Sequence, residues 1–96
     1  MLMVVYKIVV GDFTYIGTTS RGLSRRIQEH NYRLGDPEAH RKFCRTKFYN
    51  KLRELGVCRI NKDNCIKICD GGRHEEQIEI EKIPMEYSLN SVRSIA

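Results

Sequence analysis

The order of local signals along this chain of 96 residues predicts a small α/β (α+β) fold, read as strand–strand–helix–helix–strand–helix. Three observations carry that expectation. A β-branched run near the start is broken by Gly-Asp, two central stretches repeat apolar residues with helical spacing, and a short apolar run then precedes a Glu-rich segment. At this length the chain makes one domain over residues 1–96, with one modest core and no room for a separate binding module. Hydrophobic residues at 41% and only two prolines argue for a folded chain.

Val4–Val10 is rich in β-branched residues, and Gly11-Asp12 follows before a second run over residues 13–17. Glycine first in a two-residue loop predicts a type II′ hairpin. With that loop, Val10 pairs with Phe13, Ile8 with Tyr15 and Tyr6 with Gly17. Alternation then sets Tyr6, Ile8, Tyr15 and Gly17 on one face. Two phenols share that face, one of them opposite a residue with no side chain, which makes a pocket floor possible. The apolar start lacks a basic segment and a small-residue cleavage site, so it reads as a strand rather than a signal peptide.

A helix is expected over residues 24–34, with Ser24 as N-cap and Gly35 as stop. Leu23, Ile27 and Leu34 form its apolar stripe; Arg26, His30 and Arg33 share a different one. A second helix is expected over residues 41–55, ending at Gly56, with Phe48, Leu52 and Leu55 on its apolar side. Residues 64–69 read as a third strand and Asp70-Gly71-Gly72 as a turn. Over residues 74–83 the signals conflict: Gln77-Ile78-Glu79-Ile80-Glu81 alternates like a strand, whereas early glutamates and Pro84 favour a short helix.

The charge is uneven. Residues 1–62 hold 13 Lys/Arg against 5 Asp/Glu, and residues 63–96 hold 4 against 7, within an overall +5. A basic surface beside a carboxylate cluster suits a protein that attracts a polyanion and holds a cation, although small basic proteins with solvated faces are common. Cysteines stand at 44, 58, 65 and 69. Residues 65 and 69 of one strand lie ~13 Å apart, too far to share one zinc ion. Without a secretion signal, reduced thiols and an intracellular setting, cytoplasmic or nuclear, are expected. No apolar run approaches the ~18 residues that would span a membrane.

One resemblance makes the reading specific. Val4-Val5-Tyr6, followed by Tyr15-Ile16-Gly17, resembles the paired strands of the GIY-YIG nuclease family. Leu23-Ser24-Arg25-Arg26-Ile27-Gln28-Glu29-His30 resembles that family's helix, an arginine followed four residues later by histidine. Leu89-Asn90 resembles the asparagine closing its C-terminal loop. The resemblance implies a mainly antiparallel three-stranded sheet flanked by helices, and a short third helix over residues 74–83. It implies metal-dependent hydrolysis of DNA phosphodiesters, leaving a 5′ phosphate. The sequence departs from the pattern where Val4 replaces a glycine, where Arg26 sits one residue farther from the second motif than is commonest, and where the apolar residue expected three places after the acid is missing.

Residue by residue, the resemblance implies that Arg26 stabilises charge on the five-coordinate phosphate through its bidentate fork, with Arg25 as the register alternative. Tyr6 would help deprotonate the attacking water, a role that needs a cation nearby because phenol titrates near pH ~10. Tyr15 would bond the phosphate or the nucleophile, His30 would position one of them, and Gly17 would admit a close approach of backbone or phosphate. His40 is a weaker second histidine. Arg33, Lys42 and Arg45 would track the backbone, with Asn90 nearby. A single glutamate would hold Mg²⁺ or Mn²⁺: Glu79 with Ile83 fits, as does Glu76 with Ile80, and spacing to Asn90 favours Glu79. The expected substrate is double-stranded or branched DNA, with a partner protein or second subunit supplying specificity. Two rival readings are a non-catalytic nucleic-acid-binding module and a protein-interaction domain with incidental charge.

Overall fold

The computed structural model describes residues 2–35 and 46–90. Strands β1 (Val4–Val10) and β2 (Phe13–Thr19) lead into helix α1 (Leu23–Gly35). Helix α2 (Lys47–Glu54), strand β3 (Cys65–Asp70) and helix α3 (Arg73–Glu81) follow, with single 3₁₀ turns at Lys62–Asn64 and Met85–Tyr87. The three strands form one antiparallel sheet in the order β2-β1-β3. This is the α+β architecture the sequence predicts.

The hairpin register is the expected one: Tyr6 opposes Gly17, Ile8 opposes Tyr15 and Val10 opposes Phe13. Gly11 has φ +59 and Asp12 has negative φ, the sense of a type II′ turn, so a glycine at that position lets the turn follow the twist of the strands. Period-two alternation then divides the sheet into two apolar faces. Tyr6 and Ile8 pack with Ile27, Leu34, Phe48, Tyr49, Leu52, Ile60 and Leu89, which puts α1 and α2 on one face. Val5 and Ile16 pack with Ile80 of α3 on the other.

One helix start and one buried residue differ from expectation, and packing decides one strand-versus-helix choice. Helix α1 begins at Leu23, one residue early, because Gly22 (φ +90) takes the cap position and its carbonyl accepts from Arg26 N at 3.2 Å. Helix α2 is described from Lys47, with Thr46 as its N-cap; the expected start at residue 41 lies outside the described residues. Its end is a Schellman motif: Val57 N donates to Leu52 O, Gly56 N to Arg53 O, and Gly56 has φ +78. Tyr49 rather than Leu55 joins its buried side, since Leu55 has become the cap. Residues 73–81 are helical because Ile80 faces the sheet while Ile78 is exposed, and the Glu75 carboxylate accepts from Gly72 N at 2.8 Å.

The loops are held by asparagines. Asn31 bonds both backbone groups of Ile60, at 2.7 and 3.0 Å. Asn90 does the same to Ile16 of β2, at 3.0 and 2.8 Å. Leu89 N donates to Thr14 O at 2.8 Å, so the segment before Asn90 lies along the free edge of β2. Among the described residues no helix is long and apolar enough to cross a membrane. Replacing Asn31 with Ala should cost about 2 kcal/mol in urea unfolding, because two partly buried backbone groups lose their partners. An unchanged midpoint would mean that water takes over both bonds.

Candidate active site

The site is built from the hairpin outward. Because Tyr6 opposes Gly17, its ring lies across a position with no side chain. A Cβ on Gly17 would stand 2.6 Å from Tyr6 Oη and 2.7 Å from Cζ, closer than packed atoms approach. This close approach lets the ring lie flat on the sheet and be fully buried. Helix α1 passes over it with Arg26 and His30 one turn apart, so both reach the same hydroxyl. Arg26 Nε donates to Tyr6 Oη at 3.2 Å, and His30 Nε2 lies 2.8 Å from it. On its far side, His30 Nδ1 meets Tyr49 Oη of α2 at 2.7 Å.

Burial sets the protonation states. Desolvation, with the charges of Arg26 and Arg33 adding to it, pushes His30 down to about 3, so its imidazole is neutral. Desolvation also raises Tyr6, helped by Tyr15 and only partly offset by Arg26, so it is a phenol. Tyr15 is raised by burial too, against the pull of Arg26. For Arg26, partial burial weighs against the charge, but the hydrogen bond to Tyr6 and the surrounding phenols outweigh it. The guanidinium is therefore a fixed cation. Its Nη1 lies 3.4 Å from Glu29 Oε1.

Beside this cluster lies a cleft of about 280 Å³. Tyr15 contributes from β2, Arg26 and Arg33 from α1, Phe48 and Tyr49 from α2, Arg73 and Glu76 from α3, and Asn90 from the C-terminal segment. The Tyr15 ring stacks on Phe48 with centroids 4.1 Å apart, which orients its phenol at the cleft. Among the described residues, one carboxylate, Glu76, thus faces the cleft with three arginines. That composition suits an anion and a hard cation held together.

The structure brings together Tyr15, Arg26, Arg33, Glu76 and Asn90, with Tyr6, Gly17 and His30 packed behind them. It separates two expectations from the site. Arg25 is exposed and off the cleft, so the register choice falls to Arg26. Glu79, the preferred metal ligand by spacing, is also off the cleft and bonded to Lys82 at 2.8 Å. The reason is helical phase: Ile80 must face the sheet, Glu76 lies one turn before it on nearly the same side, and Glu79 is turned about 100° away. Tyr6 is present but shut off from solvent, its oxygen capped by Arg26 and His30. Asn90 reaches the cleft with its amide engaged at both ends by Ile16, which makes it a clamp on β2.

His40, Lys42 and Arg45 lie outside the described residues. Sequence reasoning missed Tyr49, Arg73 and the carboxylate of Glu29, which lies 3.4 Å from both Arg21 and Arg26. The spacing of Tyr49 to Leu52, three residues apart on α2, is the signal that could have marked Tyr49 as inward-facing. Cys58, Cys65 and Cys69 are free thiols, and no cluster of three or more metal-ligating side chains occurs among the described residues. Set against known proteins, the chain matches no family model, no curated protein and no solved structure.

Two outcomes follow from this packing. Gly17→Ala should lower stability by about 2 kcal/mol and separate Tyr6 from His30, because the obstructed atoms belong to a buried ring; thermal unfolding measures it, and an unchanged midpoint would show that the ring can move aside. His30 binds a proton near pH 6.5 when unfolded but only near 3 when folded. Its contribution is complete above pH 6.5 and is lost as pH falls toward 3. Between pH 6 and 5 stability should drop by about 1 kcal/mol from this residue. Urea titrations should give a flatter slope for His30→Gln; parallel slopes would mean that the folded imidazole protonates normally.

Proposed function

We propose that the protein is a metal-dependent endonuclease of the GIY-YIG type, acting on DNA phosphodiesters. The observation that carries this reading is the meeting of Tyr15, Arg26 and Glu76 at one cleft, drawn from β2, α1 and α3 and backed by the buried Tyr6–His30 pair. Arg26 binds the scissile phosphate through Nη1 and Nη2 and offsets the charge that grows as phosphorus becomes five-coordinate. Before the strand binds, Tyr6 holds Nε, and Arg33 and Arg73 supply further positive charge for the strand. Tyr15 offers its hydroxyl to a phosphate oxygen or to the attacking water.

Glu76, the one carboxylate among the described residues that line the cleft, fits an ion that keeps most of its waters, so it is the residue that would hold Mg²⁺ or Mn²⁺. When bound, the ion supplies neutralising charge to the phosphate and to the departing 3′ oxygen. Water gains access to Tyr6 Oη only when Arg26 shifts toward the phosphate, which couples activation of the nucleophile to substrate binding.

The closure of Tyr6 favours a second reading, a nucleic-acid-binding module that does not cut. The two separate on supercoiled plasmid and on branched or nicked oligonucleotides, each with Mg²⁺, Mn²⁺ or EDTA. The enzyme cuts only with metal. Arg26→Ala lowers the rate by about 100-fold or more while keeping most binding, Glu76→Ala loses metal-dependent cutting, and Glu79→Ala retains it. Salt-sensitive binding with no cutting of any substrate would replace the enzyme by the module.

A further inference from the structure

The imidazole of His30 stands between two phenols, with Tyr6 Oη 2.8 Å from Nε2 and Tyr49 Oη 2.7 Å from Nδ1. A neutral imidazole has one N–H and one bare nitrogen, so two proton arrangements could satisfy these distances. The surroundings of Tyr6 choose between them. Tyr6 is fully buried, and its oxygen already accepts from Arg26 Nε. Its own hydroxyl proton needs an acceptor, because a buried donor left unpaired costs about 1–3 kcal/mol. Among the described residues the one acceptor within reach is His30 Nε2. Nε2 is therefore bare, the ring proton sits on Nδ1, and Nδ1–H donates to Tyr49 Oη.

We propose that Tyr49 is a positioning residue that, together with Tyr6, holds His30 in the Nδ1–H tautomer: Tyr6 needs Nε2 as its acceptor, and Tyr49 Oη is the partner that Nδ1–H then requires. With Nδ1–H committed to Tyr49, Nε2 always draws the proton of Tyr6 away from the cleft. Tyr6 Oη then presents only lone pairs toward Arg26, and toward a water that takes the place of Nε. In the opposite tautomer Nε2–H would donate to Tyr6 and turn the phenol's proton outward, against both Arg26 and the nucleophile. Tyr49 comes from α2 and Tyr6 from β1, so the arrangement exists only when both are packed against α1. The consequence for cleavage rests on the nuclease reading above; the tautomer does not.

The experiment is two-bond ¹H–¹⁵N correlation NMR of the ¹⁵N-labelled full chain, reading which His30 nitrogen carries the proton. Wild type should show Nδ1–H, whereas Tyr49→Phe, which leaves that buried N–H without its acceptor, should lose the preference. Cleavage by Tyr49→Phe should fall about 10-fold in kcat with KM unchanged, and a Tyr49→Phe/His30→Gln double variant should be no slower than His30→Gln alone. Nε2–H in wild type would overturn the proposal without any variant. So would a Tyr49→Phe protein that keeps Nδ1–H. Absence of cleavage by wild type would remove the nuclease reading and leave the NMR result to decide the role of Tyr49.

Discussion

The organisation of this protein depends on one close approach, the ring of Tyr6 over the backbone of Gly17. A methyl group there would overlap the phenol by its oxygen and Cζ, so the cross-strand pair works only with glycine. Once the ring is buried, its hydroxyl becomes a point that the second layer must satisfy. Helix α1 meets that demand with two side chains one turn apart, a donor from Arg26 and an acceptor from His30. Helix α2 closes the chain through Tyr49. The polar network thus sets how both helices lie on the sheet, and the apolar cluster around it fills the remaining space.

That network also explains why the cationic group of the cleft is rigid where it must be. Arginine side chains carry much rotational freedom, and ordering one normally costs free energy. Here Nε is tied to a buried phenol while the outer nitrogens face the cleft and Glu29. The side chain is therefore ordered beside the cleft before any anion arrives, and less rotational freedom remains to be lost when it moves. Glu29 holds Nη1 weakly, at 3.4 Å and partly exposed, so in the proposed nuclease an entering phosphate would displace it at little cost. The asparagine clamps do comparable work for the backbone: Asn90 ties the C-terminal segment to β2, whose Tyr15 lines the same cleft.

The segment around Glu76 shows where pattern reading and packing part. Alternation over residues 77–81 allows a strand, and spacing to Asn90 favours Glu79. Neither signal knows that Ile80 has to cover Val5 and Ile16. Burial of that one side chain fixes the rotation of α3, and the rotation puts Glu76 in the cleft and Glu79 beside Lys82. The two glutamates stand three residues apart, about 60° around the helix, and that is enough to exchange a cleft residue for an ion pair with Lys82.

What the sequence determined by itself is local: the Gly11-Asp12 turn and its register, the opposition of Tyr6 and Gly17, the Arg26–His30 spacing on one helix face, and the glycine stop after α2. These follow from φ limits, period-two alternation and the i, i+4 rule, which act over a few residues. The tertiary structure decided what needs two elements at once. It joined Tyr49 to His30 across 19 positions, chose Arg26 over Arg25 and Glu76 over Glu79 at the cleft, and enclosed Tyr6 beneath its arginine. Each of these depends on how far a helix turns when its apolar side meets the sheet, and no single element's sequence specifies that rotation.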